Sequence, residues 1–235
     1  LTIPVLEGIL KHTSFPENLP NYCDNLHPEK NHSITLEGQV VAMVDEIAQI
    51  THDMDDYLRY NIIDLKKFMS HQLFGCIKIY YNEEYDYELE ELLNEIKDKN
   101  RKKDTIIRCM IDYLVSKLII DSKERIDSKN NIIPMEINKI YIKYEDERSN
   151  LIKGFHDYLE DLVLSDHKIT EMDKRGENII RTLYRYYKEF PKELPEKTYE
   201  KYLESEGKIV LADYISGMTD RYALNRYESI VNFDM

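Results

Sequence analysis

Asp45, Gln49, His52, Asp53 and Asp56 recur at three- and four-residue steps within the run Leu36 to Asp56. On an α-helix those steps bring side chains onto one face, so the run predicts a polar stripe dense in carboxylates beside an apolar one. Carboxylates one turn apart repel by roughly 0.2–0.5 kcal/mol unless a cation or a hydrogen-bond network compensates. A divalent cation is one compensator. A solvated acidic face in an acidic protein is the other reading, and composition alone leans toward it because exposed charge is common. Two His-Asp dipeptides, His52-Asp53 and His156-Asp157, pair an imidazole nitrogen with a carboxylate oxygen, donors that suit divalent metals. Neighbours on a helix point about 100° apart, so a dipeptide alone does not make a site. His156-Asp157, among Glu160 and Asp161, reads as wet surface. His27 and His32 precede the long helix in a segment from which they could approach it.

Other chemistries find little support. There is no glycine-rich phosphate loop, no GxSxG elbow and no zinc-finger spacing. Cys23, Cys76 and Cys109 are widely spaced, make neither a CxxC knuckle nor a disulfide framework, and read as structural thiols of a reducing cytoplasm. The 19 tyrosines, among them Tyr184, Tyr186, Tyr187, Tyr199 and Tyr202, are expected at core edges rather than as base-stacking platforms.

The elements that must carry these residues are helical. The 235 residues hold only 7 Gly and 7 Pro, and few breakers mean long helices. Pro4 and the spacing of Val5, Leu6, Ile9 and Leu10 predict a short helix over 2–11. A proline-containing loop follows over 15–33. Ser33 or Thr35 can cap the long helix, whose apolar stripe is Leu36, Val40, Val44, Ile47, Ile50 and Met54. Residues 64–74 look helical, and the acidic, tyrosine-rich Tyr80–Glu91 stretch is expected to be a solvated insertion. A wide apolar face of Ile106, Ile107, Met110, Ile111, Leu114, Leu118 and Ile119 predicts a helix over 101–125. Residues 128–144 read as an extended connection admitting one short strand pair. Helical patterns over 146–164, 170–189 and 207–231 follow, with Pro191 and Pro195 between the last two. The expected fold class is all-α. A net charge of −13 argues against coating nucleic acid by bulk charge, and no apolar run nears the roughly 18 residues of a membrane span. The chain opens on Leu1 without an initiator Met or a leader, and it reads as a piece of something longer.

The run Thr35-Leu36-Glu37-Gly38-Gln39-Val40-Val41, then Asp45-Glu46-Ile47-Ala48 and Thr51-His52-Asp53-Met54-Asp55-Asp56, resembles the C-terminal part of the deoxyguanosine triphosphate triphosphohydrolase family. These are HD-superfamily enzymes that cut a deoxynucleoside triphosphate (dNTP) into deoxynucleoside and tripolyphosphate. Three other segments agree in order: Leu1-Thr2 through Val5-Leu6-Glu7-Gly8-Ile9-Leu10-Lys11-His12-Thr13, Ile106 to Ile126, and Ala212-Asp213-Tyr214 through Ala223-Leu224. Together they span the chain. The resemblance implies an HD-domain-like helical bundle, with residues 1–75 in the catalytic core and 76–235 in a C-terminal helical subdomain. It also implies a divalent metal, Mn or Mg, held by a histidine, a His-Asp pair and a distant aspartate that maps onto Asp45. By the same resemblance Asp53 faces the deoxyribose and Gln49 packs near the sugar.

Two departures matter. Gln49 stands where relatives usually carry a tyrosine, so it can hydrogen-bond but offers no aromatic platform. The other three ligands belong to family helices that precede Leu1, so His52-Asp53 is not the family's His-Asp pair. This chain alone is expected to be inactive. Its implied partners are a dNTP, the N-terminal HD segment and further copies in a homo-oligomer; Arg221 is a candidate cation for the triphosphate. Some relatives respond to nucleotides or single-stranded DNA, and no residue here points to either. The alternative is a catalytically degenerate helical scaffold that binds partners or effector nucleotides.

Overall fold

A computed structural model describes residues 1–12, 32–128 and 139–233. The described residues form eleven α-helices and no strand. Two compact units divide the chain, 1–162 and 163–235. Residue 75 lies inside a helix of the first unit, so compactness draws no line there; which residues belong to a catalytic core is a separate matter.

The first unit opens with α1 (Ile3–Leu10) and α2 (Leu36–Arg59). Pro4 sits in the first turn of α1, where a missing N–H costs nothing. Thr35 caps α2, its hydroxyl accepting the Gly38 N–H at 3.1 Å. The expected loop over 15–33 lies almost wholly outside the described residues, as do Cys23 and His27. A Cβ on Gly8 would stand 3.7 Å from the Gly38 Cα, while one on Gly38 would come 2.1 Å from the Ser33 hydroxyl. Gly38 therefore has no room for a side chain. Gly38→Ala is expected to cost about 1–3 kcal/mol by overpacking, read as a lowered thermal unfolding midpoint; an unchanged midpoint contradicts this account of the helix entry.

The buried line of α2 differs from the expected stripe. Ile47, Ile50, Met54 and Leu58 are buried, but Val40 and Val44 are exposed, and Gly38 and Gln39 are buried in their place. The N-terminal turns of α2 bury the residues that meet Ser33 and the 139–144 segment, which rotates the buried line away from the valines.

α3 (Leu65–Met69) and α4 (Gln72–Tyr85) replace the single helix expected over 64–74. His71 separates them as the α4 cap, its Nδ1 accepting the Leu73 N–H at 3.1 Å, its ring stacked on Tyr158 at 5.4 Å and beside Phe155 at 4.9 Å. Burial lowers the His71 pKa from its ordinary 6.5. A histidine with a lowered folded pKa contributes stability that is present above the unfolded value and lost as pH falls through the folded one. Unfolding free energy should therefore fall on acidification below pH 6.5. His71→Asn, which caps without titrating, should flatten that slope; parallel pH profiles contradict the cap's role.

The Tyr80–Glu91 stretch is largely solvated, as expected, but it is helical at both ends and anchored to the core there. Tyr80 ends up 4% exposed within α4, and Leu89 and Leu93 of α5 (Leu89–Glu95) are fully buried. Acidic residues dominate its composition because they occupy its outer face, as in the Lys78–Glu90 ion pair at 2.8 Å. α6 (Lys99–Asp127) buries Ile106, Met110, Tyr113, Leu114 and Leu118, leaving Ile111 and Ile119 outside. α7 (Asp146–Ser165) adds Ile152, Phe155 and Leu159 to the same core, where Phe68 and Phe155 meet at 5.4 Å.

The short strand pair admitted over 128–144 falls mostly outside the described residues, which omit 129–138; residues 139–144 are irregular, with no strand assigned among the described residues. Side chains satisfy their backbone instead. The Gln39 amide donates to Lys139 O at 3.0 Å and accepts from Tyr141 N and Ile142 N at 2.8 and 3.2 Å. From α6, Arg125 donates to the carbonyls of Tyr141, Lys143 and Tyr144.

In the second unit, α8 (His167–Glu189) precedes a short 3₁₀ turn (Pro191–Glu193) and α9 (Glu196–Glu204), an element the prolines had obscured. The helix expected over 207–231 is two, α10 (Gly207–Ser216) and α11 (Asp220–Phe233). Leu183, Tyr187, Leu194, Leu211 and Ile230 are its buried core. As expected, the tyrosines line that core: Tyr187 is fully buried, takes a hydrogen bond from Arg226 at 2.9 Å and meets Tyr214 edge-on at 5.3 Å.

Candidate functional site

The polar stripe of α2 opens on a cleft of about 350 Å³ in the first unit. Asp45, Glu46 and Gln49 line it from α2, Lys11 and His12 from the end of α1, and His32 from the segment before α2. Asp45 is half exposed, and its Oδ2 stands 3.9 Å from the Nε2 of His12. His12 turns its Nδ1 to the carbonyl of Ile9 at 2.6 Å. A carbonyl only accepts, so Nδ1 carries a proton, and in the neutral ring the Nε2 lone pair is directed at the cleft.

Lys11 is the cation that sequence reading overlooked. Its ammonium meets Glu7 at 2.6 Å, one turn back on α1, and both side chains are fully buried. An i,i+4 Glu-Lys pair reads as ordinary surface until the burial is seen. Because Glu7 already compensates it, the cleft's remaining local charge is that of Asp45 and Glu46.

Asp53, the third residue singled out from the sequence, does not line this cleft. It lies two turns further along α2, half buried. Burial raises its pKa, against the opposing influence of His156 from α7. Glu46 shows the same pattern, crowding by protein raising its pKa and His156 working against it. His156 of α7 thus acts electrostatically on both Glu46 and Asp53. The structure brings Asp45 and Gln49 together, keeps Asp53 apart, and leaves Asp56 and His52 on the surface.

His156, Asp157 and Glu160 form a second acidic group, their ligand atoms within 4.8 Å of one another on the outer side of α7. Cys109 is buried and Cys76 partly so, both as free thiols. Arg221 is exposed on α11 of the second unit. Among the described residues no helix is long and apolar enough to cross a membrane.

A half-exposed carboxylate beside an imidazole offers the donor types of a divalent-cation ligand set, and comparison with known proteins narrows the class. Residues 142–229 match the phosphohydrolase-associated domain. The chain is similar along its whole length to deoxyguanosinetriphosphate triphosphohydrolase-like proteins. That of Rickettsia akari is 24% identical over 246 residues, covering 100% of this chain and 60% of the relative. That of Rickettsia bellii is 26% identical over 252 residues, covering 100% and 62%. That of Nitrosomonas europaea is 27% identical over 228 residues, covering 95% and 58%. The resemblance read from the helix motifs thus holds along the chain, which spans about three-fifths of the length of these relatives.

Proposed function

We propose that this chain is part of a metal-dependent dNTP triphosphohydrolase, with Asp45 as one ligand of a divalent cation such as Mn²⁺ or Mg²⁺. The observation that carries the reading is the Asp45 carboxylate, half exposed in a cleft beside an imidazole, with Gln49 in the same lining. That donor chemistry fits one corner of a hard or borderline divalent site, since carboxylate oxygen and imidazole nitrogen both suit such ions. When bound, the metal supplies activated water and stabilises charge developing on the phosphate oxygens at the α-phosphorus.

The chain's own residues divide the remaining work. Asp45 holds its oxygen open to the cleft. Gln49 offers an amide to the sugar, and Asp53, which lies beyond this cleft two turns along α2, takes the 3′-hydroxyl of a substrate that runs from Asp45 past Gln49, a polar requirement that discriminates more sharply than apolar fit. Asp45 and Glu46 repel a triphosphate, and Lys11 is already neutralised by Glu7. In this reading an HD-bearing segment of the whole protein supplies the further cations and ligands, and residues 1–75 would add the last part of the catalytic core to it. Residues 76–235 would be its helical subdomain, and the 235-residue chain by itself is inactive. The free thiols of Cys76 and Cys109 agree with a cytoplasmic enzyme, and the family resemblance suggests a homo-oligomer. Gln49 favours a second reading, a scaffold that keeps the fold and has lost turnover.

The test is the product released by the whole protein with Mn²⁺ or Mg²⁺. Deoxynucleoside plus tripolyphosphate from any dNTP supports the reading. Pyrophosphate plus monophosphate, or no release from any of the four, overturns it.

A further inference from the structure

The helices α1 and α2 cross at two glycines, where a Cβ on Gly8 would stand 3.7 Å from the Gly38 Cα. Their backbones therefore meet closely. Beside the crossing lies a groove of about 570 Å³, walled by Pro4, Val5 and Ile9 of α1 and by Val41 of α2. Val5, Ile9 and Val41 are 47%, 53% and 54% exposed. Val44, three residues after Val41 and so on the same face of α2, is exposed too, as is Val40. Single exposed aliphatic side chains are ordinary, but a groove walled by several of them on two helices marks a surface that something covers. Val40 and Val44 also carry the apolar period of a buried helix face, which this chain leaves uncovered.

The groove adjoins the Asp45 cleft. His12 lines both, and Val41 stands one turn before Asp45 on α2. A segment that reaches Asp45 from outside this chain therefore finds an apolar seat directly beside its destination. The relatives have chain enough to supply one, since this chain is matched over its whole length yet spans only about three-fifths of theirs. The triphosphate is no occupant, because aliphatic walls offer phosphate oxygens neither charge nor donors. A second copy would account for the groove alone. One body that fills the groove and completes the Asp45 site accounts for both.

We propose that the groove between α1 and α2 is the seat of the HD-bearing segment of the whole protein, which lays the apolar face of a helix against Val5, Ile9 and Val41 and so carries its ligands to Asp45. The proposal rests on the metal-site reading above and deepens it by naming the surface on which the rest of that site docks. Helix-in-groove packing suits the geometry, because side chains one turn apart on each flanking helix form ridges between which a third helix can lie.

The test identifies the occupant directly. p-Benzoylphenylalanine replaces Val5 or Val41 in the whole protein, one position at a time, and the crosslinks formed on illumination are mapped by mass spectrometry. Both positions should join residues of the same polypeptide that lie outside the 235 of this chain. Because a bulky label can itself hold a groove open, Val5→Cys and Val41→Cys are also labelled with N-ethylmaleimide in the whole protein. Both should react at least about tenfold more slowly than Leu203→Cys, a position 66% exposed in the second unit, since reaction in a covered groove waits on local opening. Crosslinks only to a second copy or to residues 13–31, or labelling as fast as at the Leu203 position, overturn the proposal. If the crosslinks form as expected and the whole protein hydrolyses no dNTP, the docking stands and the hydrolase reading falls.

Discussion

Asp45→Ala in the whole protein should abolish dNTP hydrolysis, lowering kcat by about 10³-fold or more, because metal stabilisation of transition-state charge is worth several kcal/mol. The fold should survive. Asp45 is half exposed and stands 3.9 Å from the partly exposed His12, beyond hydrogen-bond reach, so its removal leaves no buried partner unsatisfied. Loss of hydrolysis with an unchanged unfolding midpoint is therefore the expected pair of results, with hydrolysis followed as tripolyphosphate release and stability by circular dichroism. A variant that hydrolyses dNTPs within tenfold of the unchanged protein would remove Asp45 from the chemistry. If the whole protein is already inactive but partner binding persists in the variant, the scaffold reading takes its place.

Asp121→Ala is expected to give the largest loss of stability in the first unit. Asp121 is 5% exposed and its Oδ2 accepts both the Glu145 N–H, at 2.9 Å, and the Arg148 guanidinium. It thereby ties α6 to the start of α7. Removing one partner of a largely buried pair leaves a charge and a backbone donor uncompensated, at about 3–5 kcal/mol. Asp121→Asn, which keeps an acceptor without the charge, should lose less. Urea unfolding midpoints decide it; a loss under about 1 kcal/mol, the usual scale of an exposed ion pair, would mean that the pair behaves as surface.

How much of this could be read from the sequence depended on the range of the interaction. Ile47, Ile50 and Met54 were legible because three- and four-residue spacing fixes one face of a helix. Val40 and Val44 share that spacing and are exposed, because periodicity names a face without naming what covers it. Leu89 and Leu93 were hidden by the acidic residues around them, although two apolar side chains four apart suffice to anchor a short helix. The 139–144 segment was legible as a non-helical connection, but not the side chains that hold it. Its partners are Gln39, about a hundred residues away, and Arg125, and no local pattern announces a side-chain amide standing in for a strand. At the candidate site, motif order picked out Asp45 and Gln49, which do share a cleft. Lys11 and His12 were passed over because their role depends on how α1 meets α2, which neither helix encodes alone. Asp53 was grouped with Asp45 by helical phase, and two further turns carry it past the cleft.

The role of Asp45 is tested most directly by locating Mn²⁺ through its anomalous scattering in crystals of the whole protein. The account predicts an ion within about 2.0–2.2 Å of an Asp45 carboxylate oxygen, the usual reach of such ligands, completed by ligands from outside this chain. Manganese bound only at His156, Asp157 and Glu160, with Asp45 left facing solvent, would contradict it.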